Sequence, residues 1–166
     1  MSIDLKSFVK ADIQRAIGLI KYVYPDPIDP QFRIATPDGD LWLGINLPDN
    51  IDERTNIFVL IKNLLAYKQA VAFTLATEIV EPDGIICVGV ERNNSVGLFC
   101  SISREPLNFA APVELSRASI DKEIIDLLPV GSRSFDKIEI QELQKWFGKH
   151  GRYPLVDITT LEPTNL

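Results

Sequence analysis

The chain has 166 residues, 46% of them hydrophobic and 24% charged, which is enough for one good core and short for two domains. Its 23 acidic and 17 basic residues give a formal charge of -6, and acids exceed bases in the segments 1–50, 51–120 and 121–166 alike, so no basic arm is offered to nucleic acid. Two cysteines and one histidine leave little room for a Cys/His zinc site, and nothing in the spacing suggests carboxylates completing one; no uncharged apolar run nears the roughly 18 residues of a membrane span, and the N-terminus has acidic residues where a secretory signal would have an apolar core.

The expectation is therefore a soluble, cytoplasmic protein with no cofactor, no metal, no nucleic acid and no membrane partner. Residues 1–158 form a single domain and 159–166 a frayed tail.

Leu5, Phe8, Val9, Ile13, Ala16, Ile17, Ile20 and Tyr24 recur at three and four residues, an apolar stripe on a helix of about five turns with Asp12, Gln14, Arg15 and Lys21 off it. Asp4 or Ser2 caps its start, and Pro25, Pro27 and Pro30 end it in an extended connector. Residues 32–35 and 41–47 flank Thr36-Pro37-Asp38-Gly39 and read as a hairpin. Leu41, Leu43, Ile45 and Leu47 face inward, and Trp42 lies on the opposite surface, either under a helix or as the floor of a contact site. A second helix follows over 52–68, with Ile57, Ile61, Leu64 and Leu65 as its core stripe, capped by Asp52 or by Asn50 with Glu53.

Residues 70–104 hold the densest apolar pattern. Val71, Phe73, Leu75, Thr77 and Ile79 alternate with small or polar neighbours, and Pro82-Asp83-Gly84 reverses the chain, which predicts a strand over 70–80. A helix continued from upstream competes, since Ala72, Leu75, Ala76 and Ile79 also suit its period. β-branched and aromatic residues favour the strand, and a helix from 52 to 80 would be unusually long. The Asn93-Asn94 pair then turns an 85–102 hairpin in which Glu91 faces Val96 and Cys87 faces Cys100. One face carries Ile85, Cys87, Val96, Leu98, Cys100 and Ile102, and the other Ile86, Val88, Val90 and Phe99, so both faces need cover. The cysteine opposition is close enough for a disulfide, but two buried thiols are the expectation in a reducing compartment.

Residues 105–113 contain two prolines and no clean period, an apolar loop over the sheet edge. A short helix over 119–128 turns Ile120, Ile124, Ile125 and Leu128 inward. Asp136 and Glu139 form a capping box, with Phe135 stapled to Ile140, and Leu143, Trp146 and Phe147 continue that helix to Gly148.

The order helix, two strands, helix, three strands, helices gives an α+β fold: one antiparallel sheet of about five strands with helices packed against it. That order resembles the roadblock and profilin-like regulatory folds, many of which are adaptors or dimers; the resemblance rests on element order alone and implies fold rather than activity.

Candidate catalytic residues are few. His150 has a free pKa near neutrality, but beyond a helix end it reads first as a dipole-complementing surface residue. Glu78 and Glu91 could share acid/base work if they met in one cleft, against the plainer reading of Glu78 in an ion pair with Arg92 or Arg104. No glycine-rich phosphate loop and no nucleophile elbow occurs. The first functional expectation is a noncatalytic interaction or adaptor module, a homodimer burying at least about 1,000 Å². The second is a small hydrolytic or acid/base enzyme using Glu78 or Glu91 with Arg92, Arg104 or His150. The third is a small-ligand sensor with Trp42 against a pocket, Arg92 and Arg104 being further ligand-binding candidates.

Overall fold

A computed structural model describes residues 3–129, 131 and 133–150, the last four through their backbone. The described elements are α1 (Leu5–Val23), β1 (Gln31–Thr36), β2 (Gly39–Gly44), α2 (Ile51–Tyr67), β3 (Ala72–Ile79), β4 (Gly84–Glu91), β5 (Asn94–Arg104), β6 (Leu107–Phe109), β7 (Val113–Leu115), α3 (Lys122–Ile125) and α4 (Lys137–His150). The fold is α+β, with an antiparallel sheet in the order β2-β1-β3-β4-β5-β6 and β7 also paired to β5.

The sheet thus has seven strands rather than five. β5 runs for 11 residues, so its outer edge accommodates two short partners in succession: β7 on Gly97–Phe99 and β6 on Ile102–Arg104. Three-residue strands are too short to show an alternation, which is why residues 105–113 read as a loop.

Segment 70–80 is a strand. α2 stops at Tyr67, Gln69 takes a left-handed φ of 55°, and Ala70 N–H donates to the Leu65 carbonyl, closing the helix before β3 begins. The β4–β5 turn sits one residue earlier than expected: Arg92-Asn93 form the loop, Asn93 having φ 65°. Glu91 therefore faces Asn94, Cys87 faces Leu98, and Ile85 faces Cys100. The pairing is shifted by two residues, and because the side-chain period is also two, each side chain keeps its expected face. The two thiols are free and buried.

Both faces are covered within the chain. On one, Val9, Ile13, Ala16, Ile17 and Ile20 of α1 pack on Ala76, Ile85, Cys87, Leu98, Cys100 and Ile102. Gly89 permits the close approach, because a Cβ there would collide with Val9 and press on Leu5. On the other, Phe32, Ile34, Leu43, Phe73, Leu75, Val88 and Val90 meet Ile57, Phe58, Ile61, Leu64 and Leu65 of α2, with Phe135, Ile140 and Leu143 extending the layer. Each large apolar side chain removed from water contributes about 1.5–3 kcal/mol, so these two layers dominate the drive to fold.

Local signals set most helix starts. Asp4 caps α1, accepting from Ser7 N–H at 3.2 Å. Asn50, not Asp52, caps α2; its carboxamide oxygen accepts from the Asp52 and Glu53 amides, which makes Asp52 a first-turn acid. The α4 capping box is reciprocal: Glu139 N–H donates to Asp136 at 2.9 Å and Asp136 N–H to Glu139 at 3.0 Å. The helix expected over 119–128 is only Lys122–Ile125, preceded by a single 3-10 turn, and it is Leu127 that is buried while Leu128 is half-buried. α4 continues past Gly148 to His150, since a glycine in helical conformation costs only about 1 kcal/mol. The side chains of Phe147 and His150 and the tail 159–166 lie outside the described residues.

Candidate functional site

Three polar groupings interrupt the apolar layers. The first lies under α1. Asp12 is buried, and its carboxylate accepts from Thr74 Oγ1 at 2.6 Å and from Arg33 Nη1 at 3.2 Å. Arg33 also reaches Asp40 at 2.7 Å and stacks over Phe8. Trp42, expected either under a helix or as the floor of a contact site, is half-buried beside α1, with the Arg15 guanidinium 3.7 Å from its ring centre and that of Arg33 5.1 Å. Burial lowers the pKa of Arg15 against the opposing pull of Asp12. The sequence reading placed Asp12 off the stripe. Its spacing of four from both Phe8 and Ala16 was the available signal that it lies on the stripe's border, and the small residues Ala35, Ala72, Thr74 and Ala76 opposite leave room for a polar group.

The second grouping closes one end of the sheet. Glu78 pairs with Arg104 at 3.2 Å, as the plainer reading has it, and Arg104 also grips Asp83 at 2.7 Å. Glu78 accepts the Ile28 N–H at 2.8 Å, and the Tyr24 hydroxyl donates to the Arg104 carbonyl, so the proline connector after α1 is fastened here. The Arg104 guanidinium holds the Asp83 carboxyl below its ordinary pKa, and Asp83, then Glu78, raise that of Arg104. Both carboxylates in this network have a cationic partner, and Glu78 also accepts a backbone amide.

Glu78 and Glu91 do not meet. In the β3–β4 ladder Glu78 lies opposite Ile85 and Glu91 opposite Ala72, which puts them at opposite ends, about 20 Å apart at the strand rise. The structure therefore separates the six candidates. Arg104 is with Glu78 at one end and Arg92 with Glu91 at the other, Trp42 lies under α1, and His150 is the last residue of α4.

The end bearing Glu91 is open. A cleft of about 1480 Å³ lies between the end of α2, the β4–β5 turn and the segment around α3. Ala66, Ala70, Val71, Val90, Ile125 and Leu128 supply its apolar wall, and Lys62, Arg92, Arg117, Arg133, Glu91 and Asp126 its charges. Glu91 accepts from the Asn94 amide at 3.2 Å, and Asn94 in turn accepts from Arg117 at 2.8 Å, a chain that orients the arginine. Lys62, Arg117, Asp126 and Arg133 were not singled out from the sequence, because they come from four separate segments that only the tertiary fold brings to one rim.

Among the described residues, no three of His, Cys, Asp and Glu converge as metal ligands would, and no helix is long and apolar enough to cross a membrane. Comparison of the chain with protein-family models, with curated proteins and with solved structures gave no match, so the resemblance to roadblock and profilin-like folds stays one of element order.

Proposed function

We propose that the chain is a noncatalytic small-ligand-binding domain and that the cleft beside the β4–β5 turn is its binding site. The observation that supports it is the lining of that cleft, an apolar wall with a few polar groups at one rim, which is the usual make-up of a ligand site. At about 1480 Å³ it is roomier than the roughly 300–1,000 Å³ that encloses a drug-sized molecule, so a ligand fills part of it and leaves the rest open. With Glu78 and Glu91 at opposite ends of the β3–β4 ladder, an acid/base reading would rest on one glutamate alone, Glu78 with Arg104 or Glu91 beside Arg92, and not on a carboxylate pair. The self-associating adaptor reading rests on missing catalytic signatures and on two apolar sheet faces; α1 packs on one face and α2 and α4 on the other, which weakens the second of these grounds.

The test is an amide chemical-shift map against a library of polar metabolites. Ligands are expected to move the amides of Val71, Asn93, Asn94 and Arg117 and to leave Glu78 and Arg104 unmoved. Shifts clustering around Trp42 or the Glu78–Arg104 end, or none at the cleft with any compound, refute the assignment. A mass that doubles at micromolar concentration in light scattering would return the adaptor reading to first place.

A further inference from the structure

We infer that the ligand of this cleft is an organic oxyanion, its phosphate or carboxylate groups held by Arg92, Arg117 and Lys62 and its body resting on Val71, Val90 and Leu128. The inference deepens the ligand-binding reading and rests on it. The argument is one of charge pairing. In a chain of formal charge -6, four cations and two acids line this cleft. Elsewhere the sheet's arginines are neutralised: Arg33 by Asp12 and Asp40, Arg104 by Glu78 and Asp83. On the cleft's rim Arg133 has Glu139, but among the described residues no ion pair engages Lys62, Arg92 or Arg117.

Of the two acids, Glu91 is taken up by the Asn94 amide, whose own oxygen receives Arg117. That arrangement fixes the Arg117 fork through a neutral acceptor, so its positive charge is oriented without being cancelled. An oxyanion is the chemical class that such a fork binds most strongly, through paired charge-assisted hydrogen bonds. The apolar wall then selects an anion with a carbon skeleton over a bare inorganic ion.

The experiment titrates the full chain with pyrophosphate, citrate and ATP, with adenosine as the neutral control and spermine as the cationic one, reading the amides of Asn93, Asn94 and Arg117. ATP is expected to bind more tightly than pyrophosphate or adenosine, and comparison with citrate distinguishes phosphate from carboxylate. Arg92 and Arg117 are exposed, so the R92Q/R117Q double variant should fold as the wild type does. Losing two such contacts should weaken ATP binding by about tenfold or more. If adenosine or spermine binds as tightly as the anions, or if R92Q/R117Q binds ATP within about twofold of wild type, the oxyanion inference is overturned while the cleft remains a ligand site. If no compound moves those amides, both the inference and the reading beneath it fall.

Discussion

Replacing Asp12 by Ala tests whether the buried carboxylate under α1 fastens that helix to the sheet. Two costs follow from its contacts. Thr74 is 1% exposed and its hydroxyl donates to Asp12 at 2.6 Å, so the variant strands a buried donor at about 1–3 kcal/mol. Arg33 loses one of two carboxylates, yet it keeps Asp40 at 2.7 Å and its side chain is 22% exposed, so this loss adds about 0–1 kcal/mol. The expected destabilisation is about 2–3 kcal/mol, below the roughly 3–5 kcal/mol for breaking a fully buried pair. In a chain of this size that lowers Tm by about 5–10 °C. Urea unfolding followed by circular dichroism measures it, and T74V provides the cross-check. Because T74V removes the stranded donor, it should cost less in the D12A background than in wild type, with a coupling of at least about 0.5 kcal/mol. A D12A loss under about 1 kcal/mol, or strict additivity with T74V, would refute the reasoning.

Three further outcomes follow from the packing. Gly89→Ala places a methyl group against Val9 and Leu5 and should destabilise by about 1–3 kcal/mol in the same urea assay, whereas Gly97→Ala, whose nearest neighbours stand 3.3 Å away, should cost less; equal costs would contradict the close approach of α1. Burial raises the pKa of both thiols, Cys87 also feeling Asp12, so a disulfide-exchange reagent at pH 8 should label neither in the native protein and both in guanidinium; rapid native labelling would contradict the burial. Asp83 has its pKa depressed by Arg104, so the stability it contributes is present above the ordinary carboxylate pKa and lost as pH falls through the folded value; the stability gap between wild type and R104Q should therefore narrow below about pH 4, and a gap constant from pH 5 to 2.5 would refute it.

What the sequence revealed depended on how local the signal was. The Asp4 cap, the proline stop after α1 and the reciprocal Asp136–Glu139 box are made by residues within a few positions of each other, and all appear where the sequence places them. The β3 strand was legible through its β-branched residues despite the helical rival. The β4–β5 register was not, because an Asn-Asn pair offers two ways to place one left-handed residue, and only the side-chain faces survive either choice. The edge strands β6 and β7 depend on the length of β5 rather than on their own residues. The Glu78–Arg104 pair was anticipated across 26 positions, but the Asp12–Thr74 bond, across 62, and the cleft rim of Lys62, Arg117 and Arg133 were not, since only the tertiary fold brings those residues together.

The two ends of the sheet differ in a way that bears on function. At the end bearing Glu78, two carboxylates and the Arg104 guanidinium satisfy one another, and Ile28 and Tyr24 tie the chain down over them, so a ligand arriving there would have to break charge-assisted hydrogen bonds already made. At the end bearing Glu91, Arg117 is oriented through the neutral Asn94, and among the described residues no ion pair cancels the charge of Lys62, Arg92 or Arg117. Helices pack on both faces of the sheet. The outer edge of β2 is a strand of six residues carrying Asp40, a short charged edge of the kind that discourages pairing with another chain. On the proposed ligand-binding reading, a ligand would therefore displace fewer existing bonds at the cleft beside the β4–β5 turn than at the Glu78–Arg104 end.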